Sequence, residues 1–202
     1  YQDMAQRSYS HLISVVIPTL NEEETIGSII KGCMPHADEM IVVDGYSRDR
    51  TRDIAKAFGV NVIFDHKKGK GEALRHAVRH VTGDIVVFID ADGSHNPDEI
   101  PMLLAPILKG KADHVVGSRL LGGSSELHGG FDECFRLMGS SFITACINWK
   151  FKVRLSESQN GFRAIRVEVM RQMDLKEDIT TIEQEMTIKT LKMGYRIAEV
   201  PT

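Results

Sequence analysis

The stretch GDIVVFIDADGSHNPDEIP, residues 83–101, decides the fold. IVVFI at 85–89 is an unbroken apolar run rich in β-branched residues, the pattern of a strand covered on both faces. It ends on Asp90. Asn96, Pro97 and Glu99 then stand at the N-cap, first and third positions of a helix whose Ile100, Leu103, Leu104 and Ile107 recur at helical spacing. A buried strand feeding a helix is the repeating unit of a parallel α/β sheet. In such sheets ligands bind beyond the carboxyl ends of the strands, where Asp90 and Asp92 stand. Two carboxylates so placed can face one hard cation, and Mg²⁺ or Mn²⁺ held by one or two carboxylates plus substrate phosphates is the common arrangement.

The same alternation runs outward from this core. LISVVI at 12–17 reads as a buried strand ended by Pro18. It is followed by a predicted capping box, Asn21 as N-cap and Glu24 at the third position, for a helix presenting Ile26, Ile29, Ile30 and Cys33. MIVVD at 40–44 is a second strand, ending on Asp44, and VNVIF at 60–64 a third. Helices are predicted around Ile54, Ala55 and Phe58, and over Ala73, Leu74, Ala77, Val78 and Val81. HVVGSR at 114–119 is another strand. A Gly/Ser-rich stretch, a long helix over about 132–149, a short strand at FRAIR, a helix closed by Gly194 and the segment YRIAEVP complete the chain. A polar extension at 1–11 precedes one predicted domain, and about 120–131 is expected to be a mobile loop over the site.

Composition bounds the function. In 202 residues, 25 Lys+Arg stand against 28 Asp+Glu, a net charge of −3, too balanced for a chain that grips nucleic acid by charge. The 3 cysteines show no CxxC spacing, so neither a disulfide framework nor a zinc cage is indicated. No apolar run reaches the ~18–20 residues of a membrane span, and the polar start lacks a signal-peptide core. The expected setting is cytoplasmic. HKKGKGEALRHA at 66–77 adds lysines and glycines at a helix start, an arrangement that suits a phosphate without being a P-loop.

VVIPTLNEEETIG, IVVDGYSRDRT, KGKGEALRHA, GDIVVFIDADGSHNPDEIP, VVGSR, SQNGFRA and IEQEMTIKTLKMGYRIAEVP stand in the order found in family 2 glycosyltransferases of GT-A fold. Together they most resemble the dolichol-phosphate mannose synthase and polyprenyl-phosphate sugar transferase branch. The resemblance spans residues 14–201. It implies a mostly parallel open sheet flanked by helices, Rossmann-like. Pro18, Leu20, Glu22, Asp44, Lys70, Asp90, Ala91 and Asp92 would lie at the nucleotide, with Asp90 and Asp92 as metal ligands for Mg²⁺ or Mn²⁺ and Asp92 the principal one. Arg119, Arg136 and Ser140 would hold an acceptor phosphate, a task that suits the forked donors of arginine.

The chain departs from the family in three places. Asp44-Gly45-Tyr46-Ser47 replaces DDGS, leaving Tyr46 to stack. Ser94, followed by His95, stands where mannose synthases carry a glutamine ligand. Glu157 replaces an aspartate.

The resemblance implies an inverting transfer of sugar from a GDP-mannose or UDP-glucose type donor to a polyprenyl (dolichyl) phosphate, with peripheral contact at the cytosolic face of a membrane. A phosphate acceptor is already anionic and needs no general base. A saccharide hydroxyl acceptor would need one, from Glu157 or the Glu183/Glu185 pair. A nucleotidyltransferase would carry a Gly-rich, Arg-containing loop after its first strand, where this chain has PTLNEEE. The remaining alternative is a non-catalytic domain that binds nucleotide sugar.

Overall fold

A computed structural model describes residues 11–122, 131–178 and 181–202, with the backbone alone at 120, 122 and 131–140. Its sheet comprises β1 (Ile13–Thr19), β2 (Glu39–Asp44), β3 (Asn61–Phe64), β4 (Ile85–Phe88), β5 (His114–Ser118), β6 (Arg163–Arg166) and β7 (Ile197–Pro201). The strands lie in the order β3-β2-β1-β4-β6-β5-β7. β1 pairs in parallel with β2 and β4, β2 with β3, and β5 with β7. This is the mostly parallel open sheet expected.

Residue alternation within the central strands explains their continuous apolar character. Ile13, Val15 and Ile17 of β1 and Ile85 and Val87 of β4 enter a core layer with α1 (Ile26–Cys33), α2 (Thr51–Ala57) and α4 (Ile100–Leu108). Val16, Val86 and Phe88 enter the opposite layer with α3 (Lys70–Val78), α7 (Val167–Gln172) and α8 (Ile182–Lys192). With helices on both faces, no strand residue between the layers can be polar without losing burial energy, about 1.5–3 kcal/mol for each large aliphatic side chain. Asn96 caps its helix as predicted, accepting from the Asp98 N–H at 3.1 Å, and the first turn is a tight 3-10 turn at Pro97–Glu99.

One expectation is corrected, and one strand has a direction that the sequence reading left open. The strand at FRAIR, β6, runs antiparallel to both neighbours, pairing Phe88 with Arg163 and Val116 with Arg163. Its entry explains why. α6 (Phe131–Phe151) and the loop after it deliver the chain to the carboxyl end of the sheet, with Gly161 against Asp90, so the strand must run back. The capping box at Asn21 and Glu24 does not form. Asn21 lies at φ +57 and bonds across to the β2 loop, its N–H to Ser47 Oγ at 2.9 Å and its Oδ1 to the Arg48 N–H at 2.8 Å. The Glu22 carbonyl starts the helix instead, accepting from Ile26 N–H at 2.9 Å. A tertiary contact that anchors two loops outweighs a local cap worth about 1 kcal/mol.

Of the loop expected over 120–131, residues 119–122 form the short α5 (Arg119–Gly122), Phe131 begins α6, and 123–130 lie outside the described residues.

Candidate active site

β1 is the switch point of the sheet, since β2 and β3 extend to one side of it and β4 onward to the other. Open α/β sheets form their crevice there. A cleft of about 620 Å³ opens at this place. Its walls are Pro18, Thr19 and Leu20 at the end of β1, Gly45 and Tyr46 after β2, Asp65 after β3 and Asp90 after β4, with Lys67, Gly69 and Lys70 closing the α3 side. Leu20 and Tyr46 are exposed there, and Tyr46 sits at φ +66. Its ring carries Lys67 Nζ 4.1 Å above it and meets Phe64 at 5.2 Å between centroids. With Lys67 over the face of Tyr46, this aromatic wall can stack a planar base where the lysine swings aside.

At the far end of the cleft, Lys70 Nζ lies 2.6 Å from Asp90 Oδ1 and 2.9 Å from Glu183 Oε1. Burial alone would pull the Lys70 ammonium down, but the two carboxylates more than offset it and hold its pKa above the usual lysine value. Lys70 is therefore a fixed cation. Gly161 packs on this pair so closely that a Cβ would lie 2.9 Å from Lys70 Nζ and 3.1 Å from Asp90 Cγ.

Arg163, 1% exposed, supports the same centre from below. Its guanidinium donates to the carbonyls of Asn160 (Nε, 3.0 Å) and Glu183 (Nη1, 2.9 Å), tying the 158–162 loop to α8. Burial pushes its pKa down to about 10, still ionised at neutral pH. Arg119 Nη2 lies 3.6 Å from Glu157 Oε1. Glu157 is seated through its own N–H on Glu199 Oε1 at 2.9 Å, and its buried Oε2 has no hydrogen-bond partner.

The expected nucleotide positions divide. Pro18, Leu20, Lys70 and Asp90 line the cleft. Asp92 is exposed just past it, its Oδ1 accepting from the Ser94 N–H at 2.9 Å. Ala91 is in the core, and Glu22 spends a carboxylate oxygen on Thr25 Oγ1 at 3.3 Å. Asp44 is fully buried; it accepts from the Ser47 N–H at 3.0 Å and so shapes the turn carrying Tyr46. Arg136 and Ser140 lie on α6 where side chains are outside the described residues. Of the two glutamates of α8, Glu183 joins the site. Glu185 instead caps a loop, accepting from Lys176 and Glu177 N–H at 2.9 Å each.

The carboxylates at this end of the cleft are candidates for a hard divalent cation. Burial raises the Asp92 carboxyl, but the Ser94 hydrogen bonds with His95 and Lys70 outweigh it and hold it below the usual range, so it is ionised. His95, buried and stacked 5.2 Å from Phe162, has its pKa lowered by burial, which leaves a neutral imidazole beside the pair. Asp90 and Asp92 offer carboxylate oxygens of the kind Mg²⁺ and Mn²⁺ take.

A model of the family described as glycosyl transferase family 2 matches residues 14–174. The chain belongs to glycosyltransferase family 2. It is 30% identical over 195 residues to glycosyltransferase AglJ of Haloferax volcanii, covering 94% of this chain and 62% of that protein. This chain thus spans less than two thirds of AglJ. It is 31% identical over 195 residues to a dolichyl-phosphate hexose transferase of the same organism, covering 94% of this chain and 81% of the relative. Among solved structures it resembles glucosyl-3-phosphoglycerate synthase from Mycobacterium tuberculosis, in complex with Mn²⁺, UDP and phosphoglyceric acid, with a TM-score of 0.77. The identity there is 28%, covering 95% of this chain and 69% of that one. The family 2 chain shares the GT-A fold with that synthase.

Proposed function

We propose that this family 2 domain transfers a sugar from a nucleoside diphosphate sugar to a polyprenyl phosphate, with inversion at the anomeric carbon. The observation that carries the reading is one cleft with an aromatic wall at one end and the Lys70–Asp90–Glu183 centre at the other. The base stacks on Tyr46 between Leu20 and Pro18, and the diphosphate reaches toward Lys67, Lys70 and the carboxylates. Asp92 with Asp90 would hold the Mg²⁺ or Mn²⁺, whose charge neutralises the departing diphosphate. An acceptor phosphate oxygen attacks the anomeric carbon as the bond to the diphosphate breaks and carries its electron pair away.

Arg119 is the acceptor-side cation, with Arg136 and Ser140 assigned alongside it. Its forked donors gain charge-assisted bonds from a phosphate that a hydroxyl could not supply. The likeness to a dolichyl-phosphate hexose transferase supports the lipid. Phe142, 71% exposed, and Trp149, 86% exposed, stand seven residues apart on α6, which suits peripheral contact with a membrane interface at the cytosolic face. No helix among the described residues is long and apolar enough to span one.

One observation favours a second reading, a hydroxyl acceptor. Glu157 Oε2 is buried without a hydrogen-bond partner and could accept the proton such an acceptor must lose. Product analysis separates the two. The protein is incubated with GDP-mannose or UDP-glucose, Mn²⁺ and a mixture of polyprenyl phosphate, 3-phosphoglycerate and free saccharides. Sugar on the lipid supports the proposal; sugar only on a hydroxyl acceptor replaces it with the second reading. Donor binding without turnover in any mixture would reduce the domain to a nucleotide-sugar binder. Asp92→Asn is expected to lower Mn²⁺-dependent turnover at least tenfold with the melting temperature retained, and full turnover in that variant removes Asp92 from the assignment.

A further inference from the structure

Among the described residues, one group of three His, Cys, Asp or Glu side chains brings its ligand atoms within 4.8 Å of one another: His66, Glu72 and His76. It uses none of the carboxylates of the cleft. Glu72 and His76 are four residues apart on α3 and therefore share one helix face. His66 is folded back onto that face by the turn before the helix. There the Lys67 N–H donates to Asp65 Oδ1 at 2.8 Å with Lys67 at φ +56. Glu72 then grips His66 twice, accepting from its backbone N–H at 3.0 Å and meeting its Nδ1 at 2.5 Å. The His66 and His76 rings stand 4.8 Å apart between centroids.

Nδ1 of His76 is buried and has no hydrogen-bond partner. A buried ring nitrogen without a partner is uncommon enough to require a cause, and an ion is one of the recognised causes. We propose that His66, Glu72 and His76 form a binding site for a borderline transition-metal dication, with Zn²⁺ the best match. Two imidazoles and one carboxylate are the donor set of a zinc site with three protein ligands, which leaves a position for water. Mg²⁺ and Mn²⁺ prefer oxygen donors, so the ion expected at Asp90 and Asp92 does not compete for this one. The 4.8 Å spread has to close to about 3.3 Å between the ligands of a tetrahedral zinc. The His66 side chain, 57% exposed, gives the ion a path from solvent.

The test uses Zn²⁺ alone, added to the tag-free protein and followed through the ring-nitrogen resonances of its 8 histidines. His66 and His76 are expected to shift together, saturating at one equivalent. By calorimetry, His66→Ala and His76→Ala should each weaken Zn²⁺ binding about tenfold or more, while Asp92→Asn leaves it unchanged. Should His76→Ala fail to fold, His66→Ala carries the test, because its side chain is mostly in solvent. Undiminished affinity in the His66→Ala/His76→Ala double variant overturns the proposal. So does a titration in which the His95 ring shifts first and Asp92→Asn abolishes binding, because the ion would then sit at the cleft carboxylates.

Discussion

Gly161→Ala probes the centre of the cleft with a single methyl group. The Cβ would lie 2.9 Å from Lys70 Nζ and 3.1 Å from Asp90 Cγ, and nearer still to Asp90 Oδ2, against the 3.4 Å where ordinary contact begins. Gly161 is not held in a left-handed conformation, so the effect is steric and not a matter of backbone strain. Relief requires the Asp90 carboxylate to move by about 1 Å or the loop to lift, and either stretches the 2.6 Å Lys70–Asp90 contact. Overpacking of this kind costs about 1–3 kcal/mol, which for a chain of this size is about 2–4 °C of melting temperature per kcal/mol. A 1 Å misplacement at a reacting centre can cost on the order of 100-fold in rate. We therefore expect a loss in turnover far larger than the small loss of stability implies. Gly27→Ala is the control, because its Cβ would meet only Ile54 Cγ2, at 3.4 Å, and Phe58 carbons at 3.6 Å and beyond. Melting curves and donor turnover are measured on both variants. Gly161→Ala with wild-type turnover and an unshifted melting temperature would refute the reasoning.

Arg163→Lys should destabilise the protein by about 2–4 kcal/mol, because an ammonium cannot reproduce the fork that reaches Asn160 and Glu183 carbonyls at once, and buried carbonyls are left unpaired. Urea unfolding showing a loss under 1 kcal/mol would count against the loop-tying role. His114 makes stability fall in mild acid. Its pKa is lowered well below 6.5 by burial and then by Arg163, so the folded state stays neutral while the unfolded chain binds a proton below about pH 6.5. The contribution is complete above that pH and shrinks as pH falls, by at most about 1.4 kcal/mol per pH unit. Urea midpoints at pH 7.5 and 5.5 should diverge less in His114→Gln than in wild type, and an equal divergence would assign the acid sensitivity elsewhere.

The sheet was legible because burial on both faces leaves a strong trace in sequence: IVVFI has no polar residue to place, and the chain around it alternates strand with helix. The direction of β6 was not legible. A four-residue strand reads the same in both directions, and what orients it is the contact of Gly161 with Asp90, separated by about 70 residues of chain. Asn21 misled for a related reason, since a capping residue and a loop-anchoring residue look alike until the partner at Ser47 and Arg48 is known. Asp90, Asp92, Lys70 and Arg119 could be picked out from strand ends and motifs. Glu183 could be named only as one of a pair, and its contact with Lys70 is what separates it from Glu185. Arg163 stood inside a quoted motif without a role, because nothing in a sequence distinguishes a buried guanidinium from a surface one.

The charge balance of the centre bears on how a diphosphate is received. Lys70 already answers two carboxylates, Asp90 and Glu183, and the Arg163 guanidinium is spent on backbone carbonyls. Arg119 is engaged with Glu157. A nucleoside diphosphate entering the cleft adds negative charge where each of these cations has a partner, so Lys70 can serve the phosphates only by weakening its hold on one acid. Asp92 escapes this competition: it is exposed, ionised and bonded to a backbone N–H rather than to a cation. On the proposed reading it is therefore the group through which further positive charge enters the site. That accounts for why a chain with lysines and arginines around its cleft should still depend on a divalent ion, and why loss of Asp92 should be felt in the metal-dependent part of turnover.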